Sequence, residues 1–487
     1  MKYRILNIIT VVIGLSLIAL FSPTKGKGAI SDIDIIDLPD IDLNKQNLVI
    51  TPGSSVQSGI LSSWSCLPHY SSPNLFLQLD PPSDLWGVRS ADFNNDGWPD
   101  AILWRGSFQS GINFKLDVLL NNQNGSLKLG TSEVFSGTVP SVVEGRELVL
   151  DDFNGDGRTD LFFADQGRDS PPHPGYQNTL VLSMPGGMMV DATSNLPQQN
   201  DMTHSATTAD IDGDNDIDIY VGNIWGQNMY PPQIWLNSNN SGVFSAAPGR
   251  LPFPLEDLDY GAYTTSEFVD VNNDGISDLI LGDAGDDLSG GRDSVVLLND
   301  GTGYFSFLNN AIPPKPFAET DIALDIDADD INGDGYQDLF MVFTKGSYVG
   351  RYIQILINNK DGTFSDETST RLPQSNNNNP WISFVNLLDL DKDGHHDIVA
   401  APVGGSEPLY YLNNGNGFFR PLPNVFNIGI DNLFTFLDID QDGFLDVLWS
   451  YPRCSDGTCP EVHFIVRTLG CPAFLPLVGR TFSAITD

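Results

Sequence analysis

The chain is short of cysteine, histidine and basic side chains: 4 Cys and 6 His among 487 residues, and 24 Lys plus Arg against 63 Asp plus Glu. Each scarcity excludes something. A formal charge of -39 argues against nucleic acid or an anionic membrane as partner, because like charges repel. No C-x-x-C pair and no His/Cys cluster occurs, so a zinc site lacks its ligands. There is no G-x-S-x-G elbow, H-E-x-x-H pair or phosphate loop. Helical periodicity is missing too, which excludes a TIM barrel. Disorder is excluded in turn, since 40% hydrophobic residues, with 28 Phe, 14 Tyr and 8 Trp, supply a large core.

What the chain has instead is a nine-residue acidic pattern, seven times over. The copies read DFNNDGWPD, DFNGDGRTD, DIDGDNDID, DVNNDGISD, DINGDGYQD, DLDKDGHHD and DIDQDGFLD. They start at Asp92, Asp152, Asp210, Asp270, Asp330, Asp389 and Asp438, at intervals of 60, 58, 60, 60, 59 and 49 residues. The sixth place is Gly in every copy but the third, which has Asn215. Asn is the best substitute there, because it tolerates left-handed backbone angles.

Calcium is a hard cation that takes about six to eight oxygens in a sharply turned loop. Places 1, 3, 5 and 9 of each copy offer side-chain oxygens, and the residue at place 7 can turn its carbonyl inward. The first loop thus offers Asp92, Asn94, Asp96, Asp100 and the Trp98 carbonyl. The second offers Asp152, Asn154, Asp156, Asp160 and Arg158. The third offers Asp210, Asp212, Asp214, Asp218 and Asp216, and the fourth Asp270, Asn272, Asp274, Asp278 and Ile276. The fifth offers Asp330, Asn332, Asp334, Asp338 and Tyr336, and the sixth Asp389, Asp391, Asp393, Asp397 and His395. The seventh offers Asp438, Asp440, Asp442, Asp446 and Phe444. Asp, Asn and Gly also make ordinary turns, but a turn needs one or two such residues, not four oxygens at fixed offsets. Magnesium fits less well, since it keeps a stricter shell with several waters. An EF-hand is excluded, because its loop is longer, ends in Glu and is flanked by helices. Up to seven structural Ca2+ ions are therefore expected. They would leave a formal charge of about -25.

Each loop sits among short apolar or alternating segments. The fourth unit gives TTSEFVD, DLILGDA, SVVLLND and GYFSF, with Gly, Asn and Asp turns between them. Four strands in about 60 residues make a blade-sized sheet that must bury its faces against neighbours. The expected fold is an all-β, seven-bladed β-propeller with a calcium loop in each blade, spanning residues 84–475. An open solenoid is the structural alternative. The seventh unit lacks an obvious fourth strand. One of two segments in the N-terminal extension 30–83, NLVI (47–50) or NLFLQLD (74–80), would complete it.

Lys2 and Arg4 precede a mostly apolar run from Ile5 to Phe21, the shape of a secretory signal occupying residues 1–29. A retained N-terminal anchor is the alternative, and membrane contact is expected only in that case. Export fits an extracellular or cell-surface location, or the periplasm of a Gram-negative cell. Four cysteines allow three connectivities. The preferred one joins Cys454 to Cys459 across a turn and Cys66 to Cys471 across the two ends of the repeat region. Residues 476–487 form a tail.

The loops, the apolar strand after each, and the LLNN…G…F hairpins at 119–127, 298–305 and 357–364 resemble the FG-GAP/VCBS repeat family, which includes the integrin alpha-subunit propeller. The resemblance implies calcium loops on the connection between a blade's first two strands. It leaves the task open, because members include adhesion proteins, lectin-like binders and some polysaccharide lyases. The opposite edge would carry the irregular segments 167–177, 223–233, 282–292 and 344–351. Their candidate ligand residues are His173, Tyr176, Trp225, Tyr230, Asp286, Asp287, Tyr348 and Arg351. Exposed aromatics suit protein or sugar binding. The expected role is a secreted interaction or adhesion module whose partner is an extracellular protein or glycan. A lectin is the alternative, and a lyase or hydrolase follows behind it, because no spacing fixes an acid and a base together.

Overall fold

The computed structural model describes residues 75–78, 84–106, 113–224, 230–257, 263–285, 293–316, 321–345, 348–373, 381–402, 409–422, 434–443, 445–450 and 461–467. Among them the chain is almost entirely β. The helical exceptions are single turns at Thr131–Val134, Thr193–Asn195 and Thr368–Arg371. No helix of the described residues is long and apolar enough to cross a membrane.

Six four-stranded antiparallel sheets, each from one stretch of chain, form the blades of an all-β propeller. Sheet 1 runs Asp84–Ala91, Asp100–Gly106, Asp117–Asn121 and Leu127–Leu129. Sheet 2 runs Gly145–Asp151, Asp160–Asp165, Thr179–Met184 and Met188–Asp191. Sheet 3 runs Thr203–Ala209, Asp218–Asn223, Gln233–Leu236 and Ser245–Ala246. Sheet 4 runs Tyr263–Val269, Asp278–Asp283, Val295–Asn299 and Phe305–Leu308. Sheet 5 runs Ile322–Asp329, Asp338–Lys345, Val349–Asn358 and Phe364–Asp366. Sheet 6 runs Ile382–Leu388, Asp397–Pro402, Leu409–Asn413 and Phe419–Leu422. A seventh four-stranded sheet is composite. It takes Phe434–Leu437, Asp446–Ser450 and Glu461–Arg467 from the end of the repeats, and Leu75–Gln78 from before the first repeat. Leu75 pairs with Phe464 and Gln78 with Glu461. That outer strand is part of NLFLQLD, one of the two segments named above.

The second strand of each blade shows why the sequence reads as it does. DLFFAD and DLILGD are buried at every residue, because neighbouring sheets cover both faces. The core therefore lies between sheets. Trp104 of sheet 1 meets Phe163 of sheet 2 edge-on, with ring centroids 5.6 Å apart. Phe162 and Trp235 join sheets 2 and 3 at 6.0 Å, and Phe340 and Phe419 join sheets 5 and 6 at 5.8 Å. Leu437, Ile439 and Leu448 of the composite sheet pack with Leu85, Val88 and Leu103 of sheet 1. Phe153 is fully buried, and Trp86, Phe268, Phe384 and Phe436 pack against these inter-sheet clusters.

Inner strands also exchange side chains for strand pairing. Glu147 Oε2 accepts the Ala206 amide at 2.9 Å, and Asp325 Oδ2 accepts the Val385 amide at 2.7 Å. Asp327 Oδ2 accepts the Leu387 amide at 3.1 Å. Each carboxylate satisfies a backbone donor on the next blade's first strand, where no ladder partner exists. The first-to-second strand ladder of all six blades slips by one residue near its start, as between Gly145 and Glu147 and between Ala323 and Asp325.

Candidate metal centres

Every acidic nonapeptide connects the first and second strands of its sheet. The loop is built by its own side chains. The place 1 carboxylate reaches forward to two backbone amides. Asp92 accepts Asp96 N at 3.0 Å and Gly97 N at 2.8 Å. Asp270 and Asp330 repeat this on Asp274 and Gly275, and on Asp334 and Gly335. Place 5 then accepts the amide at place 7, as Asp96 does from Trp98 at 2.9 Å. The chain can curl this tightly because place 6 is left-handed: φ is 87° at Gly97, 86° at Gly275 and 65° at Asn215. Place 4 is left-handed too, at Asn95, Gly155, Gly213, Asn273, Gly333, Lys392 and Gln441. Sequence reasoning missed this second position, although five of the seven residues are Asn or Gly.

Place 9 has a further role that spacing alone did not reveal. Asp100 Oδ2 accepts Phe93 N at 3.1 Å, and its Oδ1 accepts Asn121 N at 2.8 Å. Asp278, Asp397 and Asp218 make the same pair of contacts. The residue so held is an Asn at the end of the third strand or, for Asn237, directly after it, and its own amide crosses to the preceding sheet. Asn237 Nδ2 donates to Phe153 O, Asn299 to Ile211 O and Asn358 to Val271 O, each at 2.8 Å. Asn413 donates to Ile331 O at 3.2 Å. Asn121 donates to Ile439 O at 2.8 Å, from sheet 1 to the composite sheet. Sheet 2 departs from this, with Ser183 holding Asp160 through both its amide and its hydroxyl. The Asn of the LLNN hairpin is thus an inter-sheet staple.

Burial pushes the carboxyls of Asp100, Asp218, Asp278, Asp338, Asp397 and Asp446 up to about 7, and that of Asp160 to about 6. Accepted amides pull the other way, and nearby loop carboxylates add to the rise. Cations already reach two of the loops, with Arg158 at 2.7 Å from Asp156 and Lys360 at 3.2 Å from Asp334, yet each loop keeps an excess of carboxylates and fits a cation. Asp210, Asp212 and Asp218 place one oxygen each within 4.8 Å of one another, as do Asp389, Asp391 and Asp397, and Asp438, Asp440 and Asp446. Asp212 Oδ1, Asp391 Oδ1 and Asp438 Oδ1 are sealed from water and accept no hydrogen bond. All-oxygen carboxylate and carbonyl donors suit calcium by type.

The opposite edge is partly described. Trp225, Asp286, Asp287 and Phe444 lie outside the described residues, as do Cys66, Cys454, Cys459 and Cys471, segment 1–29 and segment 476–487. Tyr176 is committed to structure. Its backbone exchanges hydrogen bonds with Asp201 at 2.9 and 3.1 Å, and its hydroxyl meets Asn113. His173 has φ 53° and lies 3.6 Å from Asp169. Tyr348 packs edge-on against Trp381 at 5.2 Å. Half-buried Arg351 lies within electrostatic reach of Tyr411 on the next sheet. Tyr230 is 49% exposed, and its amide is anchored on the fully buried Asp201 at 2.9 Å. His173 and Tyr176 share a connection of sheet 2, Tyr230 belongs to sheet 3, and Tyr348 and Arg351 belong to sheet 5; Asp201 joins Tyr176 to Tyr230, whereas His173 and Arg351 each engage a different neighbour. Sequence reasoning passed over Asp201, whose carboxyl burial pushes up to about 6.

No curated protein sequence matches the chain. Among solved structures, an Agrocybe aegerita lectin described for specific recognition of non-reducing terminal N-acetylglucosamine is 18% identical, with TM-score 0.43. That match covers 72% of this chain and 80% of the lectin. A Photorhabdus luminescens Tc holotoxin pore is 16% identical, with TM-score 0.36, over 76% of this chain and 18% of the toxin chain. The sequence model of the FG-GAP-like repeat matches residues 152–221, 270–341, 330–400 and 389–449, more than half of the chain. Each match opens on place 1 of an acidic loop and ends within the second strand of the next sheet, and the chain belongs to the FG-GAP-like repeat family.

Proposed function

We propose that the chain is a secreted, calcium-stabilised, seven-bladed β-propeller that serves as an interaction or adhesion module in an extracellular assembly. The observation that carries the reading is the set of converging carboxylates with sealed oxygens left unpaired, found in the first-to-second strand loops of sheet 3, sheet 6 and the composite sheet. Uncompensated, such groups oppose folding; a divalent cation turns the same groups into cross-links, so metal binding and folding are linked. All seven loops would share one edge of the ring, which leaves the opposite edge, with its long irregular segments, for a partner. The composite sheet supports the count of seven, since it meets sheet 1 through both a hydrophobic cluster and the Asn121 staple.

Chelation tests the metal. Stripping calcium should lower the melting temperature by ten degrees or more, on the order expected for loss of several kcal/mol, and added calcium should restore it. An unchanged melting curve would sink the calcium claim. The lectin reading is favoured by one feature, the exposed Tyr230 ring on a backbone pinned by Asp201. A glycan array run with and without calcium separates the two. The module reading expects no saccharide signal, whereas a signal lost in the Tyr230→Ala variant replaces it with the lectin.

A further inference from the structure

The seven loops are not equivalent, and the difference lies at place 3. It is Asn in loops one, two, four and five, and Asp in loops three, six and seven. In loops one, two and five the Asn amide acts as a donor. Asn94 Nδ2 donates to Asp96 Oδ2 at 3.1 Å, and Asn332 Nδ2 donates to Asp338 Oδ2 at 3.0 Å. Asn154 Nδ2 donates to Ser183 O at 3.1 Å and to Asp160 Oδ1 at 3.3 Å. A carboxylate at the same place can donate nothing. Where Asp stands, three carboxylates converge within 4.8 Å, and one oxygen of the set is left sealed and unpaired: Asp212 Oδ1 and Asp391 Oδ1 at place 3, and in loop seven Asp438 Oδ1 at place 1, where Asp440 Oδ1 accepts Asp442 N at 3.2 Å. In loop seven the fully buried Asp446 also keeps Oδ1 without a partner. Sealing a carboxylate oxygen away from both water and a donor is costly, and a bound cation relieves that cost while keeping the carboxylate ionised.

We propose that the loops form two affinity classes for calcium. The three all-aspartate loops, Asp210–Asp218, Asp389–Asp397 and Asp438–Asp446, bind tightly and fill first. The four asparagine loops bind weakly and fill later. The inference rests on the calcium reading above. Two terms act in the same direction: an extra negative ligand raises attraction for the ion, and the metal-free loop has more to gain. Arg250 and Arg420 lie within electrostatic reach of Asp212 and Asp391 and offset part of this, without a hydrogen bond to the unpaired oxygens. Loops six and seven are consecutive, and loop seven belongs to the sheet that draws on both ends of the chain, so that seam would be fixed at low calcium.

The test is a calcium titration of the full chain by calorimetry, with bound ions counted by equilibrium dialysis. The expected result is three equivalents taken up at least roughly tenfold more tightly than the rest. Asp391→Asn should move one equivalent from the tight to the weak class. Asn272→Asp, which removes no buried group, should move one the other way and keeps the test open if the first variant folds poorly. Seven sites of one affinity, or a tight count unchanged by Asn272→Asp, overturns the two classes and leaves calcium binding standing. No uptake at all overturns the calcium reading and this inference with it.

Discussion

At the scale of single residues, backbone angle and local space decide what a loop position tolerates. Gly275 has φ 86° and nothing within 4 Å of where a Cβ would stand. Gly275→Ala therefore meets only the intrinsic cost of a left-handed alanine, about 1–2 kcal/mol. Gly187 has φ 74°, and a Cβ there would lie 1.9 Å from the carbonyl oxygen of Asn94 on the neighbouring sheet. Gly187→Ala is expected to cost clearly more, because backbone must move as well. Urea unfolding of the two variants in calcium checks the order; equal losses would contradict it. The left-handed turn at Gly97 was legible in the sequence, because a loop that curls this sharply favours glycine at place 6. The left-handed turn at Lys392 and Gln441 was not, since neither residue type signals it.

At the scale of strands and hairpins, the recurrent object is the pair formed by a place 9 Asp and a third-strand Asn. Asn358 is buried, donates to Val271 O and Gln337 O, and accepts the amide of Lys360. Asn358→Ala removes both donations and leaves buried carbonyls unmet, so a loss on the order of 2–3 kcal/mol is expected. Its exposed neighbour Asn359 reaches only Thr363 and nearby hairpin groups, and Asn359→Ala should stay within about 0.5 kcal/mol. Chemical denaturation of both variants measures the contrast. The strands were readable from alternating and continuous apolar runs. The staple was not, because its partner carbonyl lies 82 to 88 residues away in sequence for the four links from Asn237, Asn299, Asn358 and Asn413. Only the recurring Asn at the end of LLNN hinted that something held it.

At the scale of the molecule, acids from different sheets act on one another across the inner strands. Burial, then Asp327, Glu147 and Asp325, holds Glu267 well above the ordinary carboxylate range. Glu147 rises to about 7 and Asp327 to about 6, chiefly through burial. These side chains are half-buried, so solvent screening moderates the effect. A raised carboxyl pKa means that the folded state holds protons the unfolded state has released. Its stability is then lost as pH climbs from the ordinary carboxylate range through about 7. His204 has the opposite sign. Burial draws it down to about 3, so it contributes only as pH rises from about 3 to its ordinary value near 6.5. Above that point the acids act alone. The metal-free protein is expected to melt at a lower temperature at pH 7.5 than at pH 6.5. Glu267→Gln should shrink that difference and raise the melting temperature at pH 7.5. A flat profile in the parent chain would contradict the coupling. None of this was visible in the sequence, where Glu267 is one acid among 63.

The composite sheet also imposes a timetable. Leu75–Gln78 is synthesised before every repeat, yet its hydrogen-bonding partner, Glu461–Arg467, comes after all of the acidic loops. Until that last strand emerges, the early strand has no edge to join; once it emerges without its mate, it offers one to any extended peptide nearby. A nascent chain that loses its first segment to a protease would thus carry a permanently open edge, and its natural fate would be to borrow the missing strand from a neighbour.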